Sequence, residues 1–236
     1  MVSGNTSCGI SAETAEQSYK ANRNIDALLL RKANSLKALE QMPVLVDMDG
    51  RSYITDLDSV ANKVWADDAD CSAKVHMGYN AKHLLLSVTV SDEKHITPWN
   101  GKGIWKGDSI QFAFETSRDS VKRKMLNQTG FINTDRLYTA ALVNGKPAVF
   151  YNPGGKATKA EIKMKRDDKS GTTVYQFAIP WSELNVRPAP GTVIGFALLL
   201  ADTDWVDRQF QYRLELGKGI DGAFHDPSQL LSLIIE

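Results

Sequence analysis

The chain has 236 residues, with 28 Lys+Arg against 28 Asp+Glu, 42% hydrophobic residues and 8% aromatic ones. This is the composition of a globular chain able to bury one sizeable core, and it excludes intrinsic disorder. Zero net charge excludes the basic footprint of most nucleic-acid binders and of a polybasic membrane anchor, and no apolar run reaches the roughly 18 residues that insert across a bilayer.

The opening segment 1–10 lacks a charged stretch followed by an apolar one, so no secretory signal is visible. Its Ser, Gly, Asn and Thr content reads as a linker to a neighbouring domain of a longer polypeptide. Between 11 and 41 there is neither Pro nor Gly, and Ile25, Leu28, Leu29, Leu36 and Leu39 fall on a 3.6-residue period. The pattern predicts a helical arm of one or two helices, capped by Ser11 or Ser18 and ended by Pro43. It divides the chain into a linker and arm, 1–42, and a main domain, 43–236.

After Pro43 the period changes to two. Ala73, Val75, Met77 and Tyr79 alternate with Lys74 and His76, and Leu84, Leu86, Val88 and Val90 alternate with Ser87 and Thr89. The segment 78–82 between the two runs suits a hairpin connection. Ile110, Phe112 and Phe114 form the next alternating run. Further strands are predicted at 137–143, 148–151, 157–165, 173–179, 193–201, 209–216 and 230–235, with one helix within 118–127. Many short strands without intervening helices predict an all-β chain, an antiparallel two-sheet β-sandwich with an N-terminal helical extension.

Nucleophilic catalysis has no support, because there is no Gly-x-Ser-x-Gly elbow. Gly101-Lys102-Gly103 and Gly217-Lys218-Gly219 are too short for phosphate loops and read as turns. His76, His83, His95 and His225 lack a two-His helical spacing and read as surface or hydrogen-bonded strand histidines. Cys8 and Cys71 are too few and too distant for a zinc knuckle or a disulfide framework. Asn5-Thr6-Ser7 and Asn127-Gln128-Thr129 match the glycosylation sequon. Asp67, Asp68 and Asp70 cluster in a predicted loop, and Asp47-Met48-Asp49-Gly50 reads as a turn. Asp202 and Asp204 follow an apolar strand and share one face of it. They are the carboxylates that a glycoside hydrolase reading would use, and the candidate metal ligands, although no spacing here fits an EF-hand loop.

The tryptophans carry more information. Trp99, Trp105, Trp181 and Trp205 all fall at predicted strand ends or loops. A ring placed there either lids the core or offers a flat apolar face with a polar edge. A pyranose, with C–H bonds on its face and hydroxyls around its rim, is complementary to such a ring flanked by polar side chains.

The stretch Trp105-Lys106-Gly107-Asp108-Ser109-Ile110-Gln111-Phe112 is similar to the Trp-x-x-Asp-Ser-hydrophobic-Glu strand of family 9 carbohydrate-binding modules. Other pieces follow in that family's order. The run from Ala73 through Val90-Ser91-Asp92 resembles its hairpin ending in Asp, and Ile179-Pro180-Trp181 its Pro-Trp strand end. Pro190-Gly191-Thr192-Val193 leading to Asp202, and Phe224-His225-Asp226-Pro227-Ser228 before a last strand, complete the likeness over 43–236.

The resemblance implies a β-sandwich that binds oligo- or polysaccharide without cleaving it, commonly appended to a glycoside hydrolase, working outside the cell or in the periplasm, and often holding structural calcium. By position Trp105 and Phe224 stand for the two rings that clamp a sugar, and Gln111 for a Glu that hydrogen-bonds it. Arg136 is the nearest match to an expected Arg, and Gln211 and Arg213 are lesser candidates. Two departures have physical weight. Phe is a smaller platform than Trp, and Gln replaces a charge-assisted hydrogen bond by a neutral one about half as strong. The alternatives are a hydrolase using Asp202 or Asp204, an interaction domain docking through its helical arm, and, more distantly, a haem carrier using Met77 and a histidine.

Overall fold

Strands dominate because apolar side chains recur at every second residue through most of the chain. The computed structural model describes residues 27–49, 54–57, 67–128, 130–152, 157–207, 212–221 and 225–236. Its strands are β1 (Ala27–Lys32), β2 (Val46–Met48), β3 (Ile54–Leu57), β4 (Ser72–Tyr79), β5 (His83–Ser91), β6 (Ser109–Glu115) and β7 (Arg136–Val143). There follow β8 (Lys146–Asn152), β9 (Glu161–Asp167), β10 (Thr172–Pro180), β11 (Val193–Asp202), β12 (Tyr212–Leu216) and β13 (Leu231–Ile235).

One sheet runs β8-β7-β6-β11, and the far edge of β11 is shared by β13, against residues 193–196, and by β12, against residues 198–202, with β3 outside β12. The other runs β9-β10-β5-β4, with β2 on the outer side of β4. All these pairings are antiparallel. The β7–β8 connection is a two-residue turn, Asn144-Gly145, both with positive φ (51° and 70°), the conformation whose twist matches a hairpin.

The inward faces close on one core. Phe112, Phe114, Tyr138, Phe196 and Leu198 from the first sheet meet Val75, Leu86, Val88, Tyr175 and Phe177 from the second. Phe112 stacks on Tyr138 at 4.7 Å and meets Phe177 edge-on at 4.8 Å. Each such side chain contributes roughly 1.5–3 kcal/mol by leaving water. The edge strand β9 turns Ile162 and Met164 inward and Lys163 and Lys165 outward, which keeps its free edge from pairing with other chains.

Two expectations are corrected. The helical arm is not what residues 27–42 form. Leu28 and Leu30 are buried while Leu29 is 46% exposed, the alternation of a strand, and β1 pairs in parallel first with β13 and then, from Arg31, with β4. It thus passes from one sheet to the other. Backbone hydrogen bonds offered by both sheets outweigh the helical propensity of Ala, Leu and Lys. The boundary at 42 therefore falls inside the sandwich, and only Leu36–Leu39, capped by the Ser35 hydroxyl, is helical. The expected segment 11–26, with Cys8, lies outside the described residues. The predicted turn at 47–50 begins instead as β2, because Val46 and Met48 alternate into the core. No helix among the described residues is long and apolar enough to cross a membrane.

Candidate functional site

A sheet face that looks away from the core is normally polar, but the outer face of the first sheet is not. Ala113 on β6, Leu137 on β7, and Ala197, Leu199 and Ala201 on β11 form a second apolar cluster with Ile220 and Leu230. Three alanines leave space above the sheet, and two loops wall it. One is the segment between β5 and β6, whose 3-10 helix Gly101–Lys106 carries Lys102 and Trp105. The other follows β12 and carries Ile220, Asp221 and His225. Between them lies a cleft of about 500 Å³.

Register explains which side chains enter it. Gln111 pairs with Thr139, Thr139 with Phe150, and Gln111 with Leu199, so Phe150, Thr139, Gln111 and Leu199 form one rung across four strands, all lining the cleft. Arg213 enters from the next rung, opposite Ala201. Trp105 is half-buried against the apolar cluster, with Lys106 Nζ over its ring at 5.8 Å. The Arg213 guanidinium donates to the Asp221 carboxylate, which ties the sheet to the second loop. His225 donates from Nδ1 to the Ile220 carbonyl oxygen at 2.6 Å and lies against Phe131 at 5.3 Å.

The wall behind His225 rests on a buried ion pair. Arg123 Nη2 donates to Asp135 Oδ2 at 2.9 Å, its Nε to Asp119 at 2.8 Å, and Nη1 to the Gly130 carbonyl at 3.2 Å. Burial pushes the Asp135 carboxyl up, against the opposing pull of the Ile132 N–H and of Arg123. Asp226 caps the 3-10 helix Pro227–Gln229 through the Ser228 N–H. Although partial burial opposes it, hydrogen bonds from Gln229, Lys124 and Ser228 hold the Asp226 carboxyl well below the usual range.

Trp105, Gln111 and Arg213 are therefore brought together. Arg136 is not. It pairs with Phe114 and so faces away from the cleft, one residue out of step with Leu137 and Thr139. Its guanidinium donates to the carbonyls of Glu183, Asn133 and Asp135 at 2.7–2.8 Å. Gln211 and Phe224 lie outside the described residues. Trp181 is a core lid: it is buried, edge-on to Tyr79, and its Nε1 donates to the Asn80 carbonyl. The cleft residues not foreseen include Thr139 and Phe150, which share the face of Gln111 by two-residue parity. Lys102, Asp221 and His225 sit in loops, where no period marks them.

Asp202 and Asp204 do not line the cleft. Asp204 receives Lys94 Nζ at 3.1 Å, and its carboxylate approaches those of Asp70 and Glu93, an all-oxygen set of the kind calcium takes. Asp202 turns inward. With Asp92, His95, Asp108 and Cys71 it walls a small cavity between the sheets, at the base of the loop that carries Trp105. Burial, with repulsion from Asp202 and Asp92, raises the Asp108 carboxyl well above the usual range, and burial with the same surrounding charges raises the Cys71 thiol. The donor set around Asp202 includes an imidazole and does not fit calcium, which binds six to eight oxygens.

A search of curated protein sequences returns no match. Among solved structures the fold is similar to a carbohydrate-binding module family 9 from Caldicellulosiruptor kristjanssonii in complex with cellotriose, at 15% identity and TM-score 0.60, covering 89% of this chain and 93% of that one. A complex of a family 9 module from the same organism with glucose gives 15% identity, TM-score 0.58, and coverage of 89% and 95%. The sequence model described as carbohydrate family 9 binding domain-like matches residues 51–234. The chain belongs to this family, whose members are non-catalytic carbohydrate-binding modules.

Proposed function

We propose that the cleft above the first sheet is the sugar site of a non-catalytic binding module. The observation that carries this reading is the convergence of Trp105 and Gln111, from one short motif, with Arg213, about a hundred residues further on, on one 500 Å³ cleft with an apolar floor. A pyranose laid on the Trp105 ring hides its C–H face from water, and Gln111 and Thr139 are within the same cleft to meet its hydroxyls. The Arg213–Asp221 pair holds the far wall and offers both a donor and an acceptor edge. With few groups desolvated, affinity falls in the range of about micromolar to millimolar.

The family members solved in complex with cellotriose and with glucose support a glucose-type ligand. The sequence resemblance supports attachment to a glycan-degrading protein that works outside the cell. Asp204, Asp70 and Glu93 would hold the calcium the family implies, which would serve only to cross-link loops. The hydrolase alternative loses its residues, since Asp202 faces the interior and Asp204 is paired with Lys94.

A glycan array probed with the intact chain tests the reading. Retention of β-glucan or related oligosaccharides, competed by the free sugar, is expected. Failure to retain any glycan, with the protein folded by circular dichroism, overturns it.

A further inference from the structure

The Asp92–His95–Asp108 cluster has the features of a divalent transition-metal site. His95 is 89% buried by its side-chain exposure of 11%, and its Nε2 lies 3.1 Å from the Leu142 carbonyl oxygen. A ring nitrogen that close to a carbonyl is the donor, so Nδ1 is the nitrogen left to face the two carboxylates. Metal-binding histidines are oriented by this kind of second hydrogen bond. Nδ1 stands 3.8 Å from Asp92 Oδ2 and 3.9 Å from Asp108 Oδ2, too far for hydrogen bonds and within a few tenths of an ångström of the roughly 3.3–3.6 Å that separates tetrahedral ligands about 2.0–2.2 Å from one ion.

The enclosed cavity they wall has a volume of about 10 Å³, room for one small ion or water. Ser109 also lines it, is 3% exposed, and its hydroxyl has no hydrogen-bond partner. Three carboxylates, Asp92, Asp108 and Asp202, border this space, and the Arg166 guanidinium stands 3.5 Å from Asp92 Oδ2. The carboxylates are also preset: Asp108 accepts from the Thr203 N–H at 2.7 Å and from the Ile96 N–H, and Asp92 from the Lys94 N–H at 2.8 Å.

We propose that Asp92, His95 and Asp108 bind a zinc-type divalent ion in preference to calcium. An imidazole donor in a tight, mostly enclosed pocket suits Zn²⁺, Co²⁺ or Ni²⁺, whereas calcium requires a larger shell of oxygens. The ion joins the end of β5 to the start of β6 and so clips both ends of the loop that presents Lys102 and Trp105. Where the sugar-binding reading holds, metal also tightens sugar binding by ordering that platform.

The test is made on the intact chain without sugar. After chelator treatment, Zn²⁺ at 100 times its dissociation constant is expected to raise Tm by about 5–10 °C. Co²⁺ is expected to bind with visible d–d bands of an imidazole–carboxylate site, at one ion per chain by elemental analysis. His95→Ala and His95→Gln remove the Zn²⁺ shift and the bands, while any calcium-induced shift persists through the Asp70–Glu93–Asp204 cluster. Absence of a Zn²⁺ shift and of Co²⁺ bands in the wild-type chain overturns the proposal, as does an equal shift in the His95 variants or displacement of Co²⁺ by equimolar Ca²⁺. The wild-type arms decide the matter even where a variant fails to fold.

Discussion

Removing the Arg123 guanidinium isolates a charge in the interior. In Arg123→Ala the Asp135 carboxylate, 0% exposed, loses the partner at 2.9 Å and keeps only the Ile132 N–H at 2.9 Å. Breaking a buried pair from one side costs about 3–5 kcal/mol, because the remaining charge stays desolvated. For a chain of this size that is a fall in Tm of roughly 6–20 °C. The loss depends on pH. Burial already raises the folded-state pKa of Asp135, and without Arg123 it rises further. A carboxyl raised in this way favours the folded state at low pH, and that contribution disappears as pH climbs through the folded-state value. Urea unfolding of Arg123→Ala therefore shows a larger deficit at pH 8 than at pH 5, and Arg123→Ala/Asp135→Asn recovers a large part of it. A deficit under about 1 kcal/mol, equal at both pH values, would refute the reasoning by showing that the pair behaves as a solvated one.

Two further outcomes concern the second wall of the cleft. Gly219 has φ +105°, and a Cβ there would meet the Asp226 carbonyl oxygen 2.2 Å away, so Gly219→Ala displaces the loop and lowers stability by about 1–3 kcal/mol, read as a lower urea midpoint at unchanged slope. Asp226, whose carboxyl is held low in the folded chain, contributes stability above its unfolded value near 4 that is lost as pH falls through the folded-state value. Thermal scans from pH 6 down to pH 2 are expected to show a steeper decline for the wild type than for Asp226→Asn, and parallel curves would contradict this.

Much of the sandwich is legible locally. The alternation in 73–79 and 84–90 fixes which face of β4 and β5 is buried, and a hairpin needs only neighbouring residues to be recognised. The first strand was not legible, since Leu28-Leu29-Leu30 satisfies a helical stripe and an alternating one equally well, and only the vacancy between β13 and β4 decides between them. At the cleft, Trp105 and Gln111 belong to one contiguous motif, whereas Arg136 misses the cleft by one residue of parity. Asp221 and His225 depend on a loop folding back over the sheet, and no short-range pattern encodes that. His95 reads as an ordinary histidine until the loop brings Asp108 within 3.9 Å of it.

If Trp105 is the platform of the proposed sugar site, titration calorimetry with the oligosaccharide best retained on the array reads its loss. Trp105 is half-buried at the cleft margin, so Trp105→Ala leaves the core of the two sheets in place. The expected result is an unchanged unfolding slope and an affinity at least tenfold weaker, about 1.4 kcal/mol or more. An affinity equal to that of the wild type, in a folded variant, would contradict it.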